Sequence, residues 1–484
     1  MMQQAATTRS EAEAAVILDA FEQRHDAFGF VVDGISIWRI LRFEISLALQ
    51  NLDLSRSAIS RPGMLGTLIA AAWQLAFPVR GIRYLGKTSN SGLRTRDERG
   101  FLDVYFDHMI DGISGGAKMS SLDAGGFTRA EKEAARAPVF DDTPVFLVSA
   151  LTARLFPSRT HAEVFDALSS LIRRDLGLHD FTAARVRRKY DVLKIRARLY
   201  EQVLRRFGAR TVMVPNSGQF ALFLATRACG ISFVEMQHGL FSEFHPDNLP
   251  AWVLAADKDS LLLPDYLTVY GPYWAERLAG TALGKIGRIR SVGAPLVEIN
   301  RDLRAARFAS NPQIPVLIFT LQGLGVEYTI DFIKKFLALS DRPMRFIVKL
   351  HPGYDSGDAR FRDLFGADRR VEIIAGDAQP DTYQMIAMAD LHLSISSACH
   401  YEALGIGTPT CVVAGPSHAQ VLDLVTRGDA LLVRDAAELH ALVDARGWGE
   451  VPSSTQEVYF SGGFVPNMAS LLNECERGPE HSPS

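Results

Sequence analysis

The sequence predicts an α/β protein made of two Rossmann-like domains. Three observations carry this reading. Short apolar runs of strand length alternate with helical stretches along most of the chain, the pattern of βα repeats on a parallel sheet. At 484 residues the chain is too long for one ordinary core and suits two. Several apolar runs also end in loops carrying Gly, Ser or His, and open α/β sheets bind ligands outside the carboxyl ends of their strands.

Composition narrows the function class. A hydrophobic fraction of 47% and a charged fraction of 22% are those of a soluble globular protein. The net charge of −3 and a pI near 6.5 argue against a nucleic-acid binder, which carries a basic excess. Cys229, Cys399, Cys411 and Cys475 are scattered without a C-x-x-C pair. A disulfide framework or structural zinc site is therefore not expected, and a cytoplasmic setting fits. The polar segment Met1–Glu13 does not read as a secretory signal, and no run of about 20 apolar residues predicts a spanning helix.

Taken in order, Ala12–Arg24 has helical spacing. A second helix follows, with Ile37, Ile40, Leu41 and Leu47 inward. Arg42 within it is expected to form a structural ion pair with Glu44 or Asp33. Met64–Pro78 is almost wholly apolar and is followed by Arg80, Arg83 and Lys87. It has two readings, a buried helix or a helix lying on a membrane surface at residues 64–87. The polar stretch 87–100 reads as a loop. Phe101–Phe106 reads as a strand ending in the carboxylate-rich loop Asp107–Gly112, and Val145–Ser149 as a further strand. Residues 160–207 are helical, with arginines and lysines on a solvated face.

Thr211–Pro215, a helix over 219–229, and Ile231–Met236 form a βαβ unit ending in Gln237-His238-Gly239. Leu267–Gly271 is another strand, and Glu298–Pro315 reads as the interdomain linker. The second domain opens with strand Val316–Thr320, the loop Leu321-Gln322-Gly323-Leu324-Gly325 and a helix from Tyr328 to Leu339. A glycine-containing loop there lets backbone approach a phosphate, although it is neither a Walker loop nor a Rossmann fingerprint. His245-Pro246 lies in a polar loop and reads as a turn.

The chain is organised around two stretches of this domain. Phe346–Leu350 runs as a strand into His351-Pro352-Gly353. Leu391–Ser394 runs into a serine-rich turn, then a helix through Tyr401-Glu402-Ala403-Leu404. Ser396 or Ser397 is placed to cap that helix. A helix N-terminus beside hydroxyls suits a phosphate, while an ordinary cap serving only the fold is the alternative.

This order of motifs resembles the C-terminal half of GT-B glycosyltransferases. It looks most like bacterial capsule and surface-polysaccharide enzymes that use CMP-sialic acid or CMP-Kdo. CDP-glycerol glycerophosphotransferases show a similar His-Pro and Ser-Ser pair. The resemblance covers roughly residues 210–430 and implies two Rossmann-like domains facing across a cleft. It implies an acceptor-side domain with a helical extension over 1–298 and a nucleotide-sugar domain over 299–475; the polar end over 476–484 reads by itself as a disordered tail.

The resemblance also implies roles. His351 and Pro352 would contact the nucleotide, Ser396 and Ser397 its phosphate, and Glu402 the ribose hydroxyls; Gln322 and Gly323 line the same strand edge. A solvated helical charge is the other reading of Glu402. The base would be His238, matching the His-Gly of glycerophosphotransferases, with Asp107 behind it. Sialyltransferases of this kind use an aspartate instead, and Asp107, Asp111 and Gly112 match that pattern loosely. His238 could equally be a hydrogen-bonded loop histidine.

The expected activity is transfer of Kdo or a sialic-type nonulosonate from a CMP-sugar to a surface-glycan or lipid-linked acceptor. No metal and no further cofactor are expected, no nucleic acid is a partner, and the inner face of the cytoplasmic membrane is a candidate location. The alternatives are a CDP-glycerol-type polyol-phosphate transferase and a non-catalytic glycan-binding subunit of a polysaccharide assembly complex. A nucleotide-sugar epimerase of similar fold is a further one.

Overall fold

The computed structural model describes residues 9–52, 81–88, 94–97, 100–120, 138–215, 218–241, 244–255, 257–309, 313–323, 325–351, 359–376 and 378–477. The chain divides into two units. The first holds the described residues up to Val269, Ala275–Arg290 and those from Val465 on. The second holds Tyr270–Trp274 and Ser291–Phe464.

The N-terminal unit begins with two helices. In α1 (Glu11–His25), Ser10 and Glu13 form a reciprocal capping box. In α2 (Ile37–Leu49), Ser36 caps the start, and Ile37, Trp38, Ile40 and Leu41 are buried. Leu47, expected inward, is half-buried; Ile45 and Leu49 are the buried residues of the last turns.

Seven strands follow: β1 (Tyr84–Lys87), β2 (Gly116–Ser120), β3 (Val139–Asp141), β4 (Thr211–Val214), β5 (Ser232–Met236), β6 (Tyr266–Val269) and β7 (Ile289–Ser291). Their order is β7-β6-β5-β4-β1-β2-β3, and the pairs from β6 to β3 are parallel. The helices between them include α3 (Asp107–Gly112), α4 (Thr143–Leu155), α5 (Ala162–Asp175), α6 (Ala183–Phe207) and α7 (Phe220–Cys229).

Several expectations change here: the loop expected over 87–100 contains the strand Arg94–Asp97, and the loop expected over Asp107–Gly112 is helix α3. Phe101–Phe106 is not a strand of the main sheet. Gly100–Asp103 pairs antiparallel with Arg94–Asp97, and the Asp103 carboxylate then accepts the N–H groups of Tyr105 and Phe106, turning the chain into α3. Val145–Ser149 lies inside α4, because Pro144 in the first turn favours a helix start; the strand is the preceding Val139–Asp141. Lys87 is not a basic flank of an apolar segment. It ends β1 and is buried in an ion pair with Asp142 at 2.5 Å. Residues 64–80 lie outside the described residues, and no helix among the described residues is long and apolar enough to cross a membrane.

The C-terminal unit has six parallel strands: β8 (Val316–Thr320), β9 (Arg345–Lys349), β10 (Val371–Ile374), β11 (Leu391–Ser394), β12 (Thr410–Val413) and β13 (Leu431–Val433). Their order, β10-β9-β8-β11-β12-β13, is that of a Rossmann sheet. Its helices include α8 (Pro295–Ala309), α9 (Val326–Leu339), α10 (Thr382–Met388) and α11 (Cys399–Ile406). Phe319, Phe336, Phe346 and Leu393 are central to its core.

The expected linker at Glu298–Pro315 is thus mostly helix. Arg301 ties α8 down by donating to the carbonyls of Gly405 (2.8 Å) and Phe460 (2.6 Å), and Arg304 by donating to that of Ala389 (2.6 Å). The closing helix α12 (Phe464–Arg477) returns to the N-terminal unit from Val465 on. Both units are therefore parallel-sheet, Rossmann-like α/β domains, as the sequence predicts.

Close packing around α11 fixes the helix that follows the serine turn. A Cβ on Gly405 would lie 2.3 Å from the Phe460 ring and 2.9 Å from a Val297 methyl. Both neighbours are almost fully buried. Gly405→Ala is expected to destabilise the C-terminal unit by about 1–3 kcal/mol, the usual cost of overpacking. A lower urea midpoint in equilibrium denaturation is the readout; an unchanged midpoint would contradict this packing.

Candidate functional site

The C-terminal sheet reverses its direction of growth between β8 and β11. From β8 the chain builds outward through β9 and β10, then returns to the other flank with β11. Such a switch point leaves a crevice at the carboxyl ends of the two central strands. Register decides what stands there. Thr320 pairs with Lys349, and Phe319 with Leu393. Gln322 and His351 thus leave the edge two residues past one paired couple, and Gln322 and Ser396 three residues past the other. Gln322 stands between His351 on one flank and Ser396 on the other.

Hydrogen bonds lock this edge. The Gln322 Nε2 donates to Ser396 Oγ at 2.8 Å, and its Oε1 accepts the Ser396 N–H at 3.2 Å. Ser394 Oγ donates to the Thr320 carbonyl at 2.7 Å. Ser397 Oγ accepts the Cys399 N–H at 3.2 Å. The formal cap of α11 is Ala398, without a side-chain bond, so Ser397 does the capping work one residue earlier. Gly323 and Gly325 have φ of 72° and 63°, a left-handed backbone that glycine adopts without strain. His351 is half-buried. Pro352 lies outside the described residues.

Glu402 is not a solvated helical charge. It is half-buried, and its Oε1 accepts the Tyr383 hydroxyl at 2.9 Å. Burial raises its carboxyl above the ordinary value, opposed by Tyr383 and Cys399. Beneath the turn lies a neutral polar chain that sequence reasoning missed. His392 Nε2 meets Thr320 Oγ1 at 2.9 Å, and Thr410 Oγ1 lies 2.7 Å from His392 Nδ1 and 2.6 Å from His400 Nδ1. Thr410 has one hydroxyl proton, so at least one of these Nδ1 atoms must itself carry hydrogen. Burial pushes His392 well below the usual histidine value and His400 to about 3. The spacing His392-x-Ser394 on a strand that also buries Leu391 and Leu393 was the available signal.

In the N-terminal unit, His238 leaves the carboxyl end of β5. It is half-buried, and Tyr105 donates its hydroxyl to the His238 carbonyl at 3.3 Å. Burial lowers the imidazole below its usual value, opposed by the Met236 carbonyl and Asp247. It is therefore neutral near pH 7, the state that accepts a proton. Gln237 Nε2 donates to the Gly239 carbonyl at 2.9 Å, shaping the loop.

The loop continues to His245, which is indeed in a turn: the Asn248 N–H donates to the His245 carbonyl at 2.8 Å. His245 is pushed down to about 4 by burial. Arg39 pairs with Asp247 at 2.7 Å, both nearly sealed from solvent. Arg42 reaches the Pro246 carbonyl and pairs with Glu22 at 2.6 Å, not with Glu44 or Asp33. Those two carboxylates pair with Lys189 and Lys194 instead.

Asp107 is fully buried at the start of α3. One carboxylate oxygen accepts from Lys118 at 2.5 Å and the other accepts the Asp103 N–H at 2.6 Å. Its neighbour Asp103 is raised to about 6, chiefly by burial. The structure therefore gathers Gln322, Ser396 and the paired Ser394–Thr320 directly, sets Ser397, His351 and Glu402 at the same edge, and places His238 at a strand end of the other sheet. Asp107 belongs to a buried ion pair. Among the described residues no group of three His, Cys, Asp or Glu side chains could hold a metal ion.

No protein-family model matches the chain, and no curated protein matches it. Among solved structures it is similar to the glycosyltransferase VinC in complex with DTDP. The identity is 15% over 82% of this chain and 100% of that one, with a TM-score of 0.49. MurG of Acinetobacter baumannii gives 10% identity over 82% and 99% of the two chains, with a TM-score of 0.46. The wall teichoic acid polymerase TagF gives 9% identity over 86% and 99%, with a TM-score of 0.45. No residue role follows from likenesses this distant.

The buried histidine chain has a pH consequence. A folded pKa below the unfolded value of about 6.5 means that the unfolded chain binds more protons as pH falls. The stabilisation is full above pH ~6.5 and is lost progressively toward pH ~3. Each such histidine contributes a slope of up to about 1.4 kcal/mol per pH unit within that window. Replacing His400 by glutamine keeps a hydrogen-bonding group but removes the titration. Urea midpoints of His400→Gln are expected to fall less steeply between pH 6.5 and 4 than those of the unmodified protein. Parallel curves would show that His400 titrates normally.

Proposed function

We propose that this protein is a metal-independent glycosyltransferase that moves a Kdo or sialic-type sugar from a CMP-activated donor to a hydroxyl of a surface-glycan or lipid-linked acceptor. The observation supporting the reading most strongly is the convergence of Gln322 and Ser396 at the switch point of the C-terminal sheet, with His351 on one flank and Glu402 behind the turn.

In the transfer, the acceptor hydroxyl attacks the anomeric carbon, its proton passes to a base, and the bond to the donor phosphate breaks with its electron pair leaving on CMP. The developing phosphate charge needs donors already aimed at it. The hydroxyls of Ser396 and Ser397 are the proposed ones, since the N–H groups that open α11 are already taken within the turn. Glu402 accepts two hydroxyl hydrogen bonds in principle and is assigned the ribose. His351 and Gly323 contact the nucleotide. His238, held neutral by burial, is assigned the proton. Asp107 is assigned a positioning role: its ion pair with Lys118 holds the turn from which Tyr105 reaches the His238 carbonyl.

The His238-Gly239 pair also favours a second reading, polyol-phosphate transfer from a CDP-activated donor. The two readings share the cytidine site and differ in the group transferred.

Thermal unfolding with CMP, CDP, UDP, GDP and ADP tests the donor class. CMP at 100 times its dissociation constant is expected to add about 2.7 kcal/mol of stability, and His351→Ala or Gln322→Ala to abolish the shift. A shift with UDP or GDP alone would overturn the cytidine assignment. No shift with any nucleotide would favour a non-catalytic glycan-binding subunit.

For the base, His238→Ala is expected to lower kcat by about 10²–10⁴-fold while leaving the CMP shift intact, measured as sugar release or transfer with a matched CMP-sugar. Activity surviving at full rate would remove His238 from the mechanism. Activity lost on adding EDTA would overturn metal independence.

A further inference from the structure

A cavity of about 500 Å³ opens in the N-terminal unit. Its rim is set by the residues that precede or begin four neighbouring strands: Arg210 before β4, Ser232 in β5, Asp265 before β6 and Arg288 before β7. These are the amino ends of the strands, whereas His238 follows the carboxyl end of β5. The cavity is therefore separate from the edge assigned to transfer. Its volume lies within the range of small-molecule pockets, about 300–1,000 Å³.

The lining is amphipathic. Phe223 of α7, Ile231, Leu263 and Ile286 supply apolar wall, and α12 closes one side with Cys475 and Glu476. The charges around it are unevenly satisfied. Asp259 is taken by Arg227 at 2.6 Å, Glu476 by Arg83 at 2.5 Å, and Asp265 accepts the Phe233 N–H at 2.8 Å. Arg210 and Lys258 form no ion pair among the described residues. Among the described residues the Arg288 guanidinium makes one hydrogen bond, to the Pro264 carbonyl at 3.1 Å. Of the four cationic groups that line the cavity Arg227 is paired, which sets Arg210, Lys258 and Arg288 against one carboxylate, Asp265, whose charge a backbone N–H does not cancel. Like charges gathered this way repel, and an anion relieves the repulsion.

We propose that this cavity is a binding site for a small organic anion, with a phosphate, sulfonate or carboxylate head held by Arg210, Lys258 and Arg288 and an apolar body against Phe223 and Leu263. The assignment does not depend on the transfer reaction. A ligand here contacts none of the residues given roles in the donor site or in proton transfer.

The probe is 8-anilinonaphthalene-1-sulfonate, which carries both features, with inorganic pyrophosphate as competitor. Fluorescence titration of the full chain is expected to show one saturable site that pyrophosphate displaces. Arg210→Glu combined with Lys258→Glu is expected to weaken it at least about tenfold, since two of the three cationic contacts become repulsive. Both side chains are exposed, so the fold is expected to survive, with circular dichroism as the check. Pyrophosphate is also expected to slow reductive methylation of Lys258, read by peptide mass spectrometry. Ser396→Ala should leave the titration unchanged. Equal affinity in the charge-reversed protein, or loss of the site in Ser396→Ala, would overturn the assignment; the latter result would put the probe in the donor site.

Discussion

The serine turn of the C-terminal unit depends on one side-chain amide. Where a parallel sheet changes its direction of growth, the two central strands part company at their carboxyl ends. Backbone groups that leave the ladder there need partners, because an unpaired buried N–H costs about 1–3 kcal/mol. Gln322 meets this need by gripping Ser396 through both its N–H and its hydroxyl. Ser394 repeats the link one layer deeper by donating to Thr320. The path of the turn follows from these bonds. So does the start of α11, and with it the place of Glu402 one turn further on. A shorter residue at 322 could not reach across, and the turn would have to be held by something else.

The layer below is held by neutral groups. Thr320, His392, Thr410 and His400 form a continuous chain that joins β8, β11, β12 and α11. Two imidazoles in contact, with ring centres 5.0 Å apart, repel once both are charged. Burial keeps them neutral instead. A network of this kind specifies one arrangement of side chains, because each member has few alternative partners in an otherwise apolar core. The backbone under the turn is thus fixed by geometry as well as by packing.

Much of this was legible in the chain itself. The strands Val316–Thr320, Phe346–Lys349 and Leu391–Ser394 are dense in β-branched and large apolar residues, so a buried parallel sheet was the natural reading. The polar residues after them were conspicuous for the same reason. Short strands of mixed composition escaped. Gly116–Ser120 carries a lysine that only its ion pair with Asp107 makes tolerable inside a sheet. Val145–Ser149 was read as a strand because a five-residue apolar run has no period of its own. The segment 298–315 reads as a linker, yet Arg301 and Arg304 anchor most of it as part of α8. Their partners are carbonyls of other elements, and a distant acceptor leaves no local trace. Asp107 was visible as a carboxylate near a strand end, but its partner Lys118 was hidden by the missed strand.

The two units satisfy their buried polar groups in different ways, and the difference bears on the proposed chemistry. Among the described residues of the N-terminal unit, four ion pairs are nearly sealed from solvent: Arg39–Asp247, Arg42–Glu22, Lys87–Asp142 and Lys118–Asp107. Pairs of this kind add little net stability over apolar packing, but breaking one is severe, so they act as position locks. Two of them brace the loop after β5. Arg39 and Arg42 hold Asp247 and Pro246 from α2, and this gives the helical extension a physical task on the loop that carries His238. In the C-terminal unit an amide, hydroxyls and neutral imidazoles stand at and below the switch point, while the buried Lys349 at the end of β9 gives its ammonium to the Ala375 carbonyl at 2.6 Å. A buried carboxylate at that edge would repel an arriving phosphate, and an unengaged buried cation would bind the departing one too well. Neutral donors offer a middle course, since they strengthen as charge develops on the leaving oxygen. Glu402 is the exception; in the proposed reading it stands one helical turn beyond the serines and would meet a ribose, which offers it hydroxyl donors in place of charge.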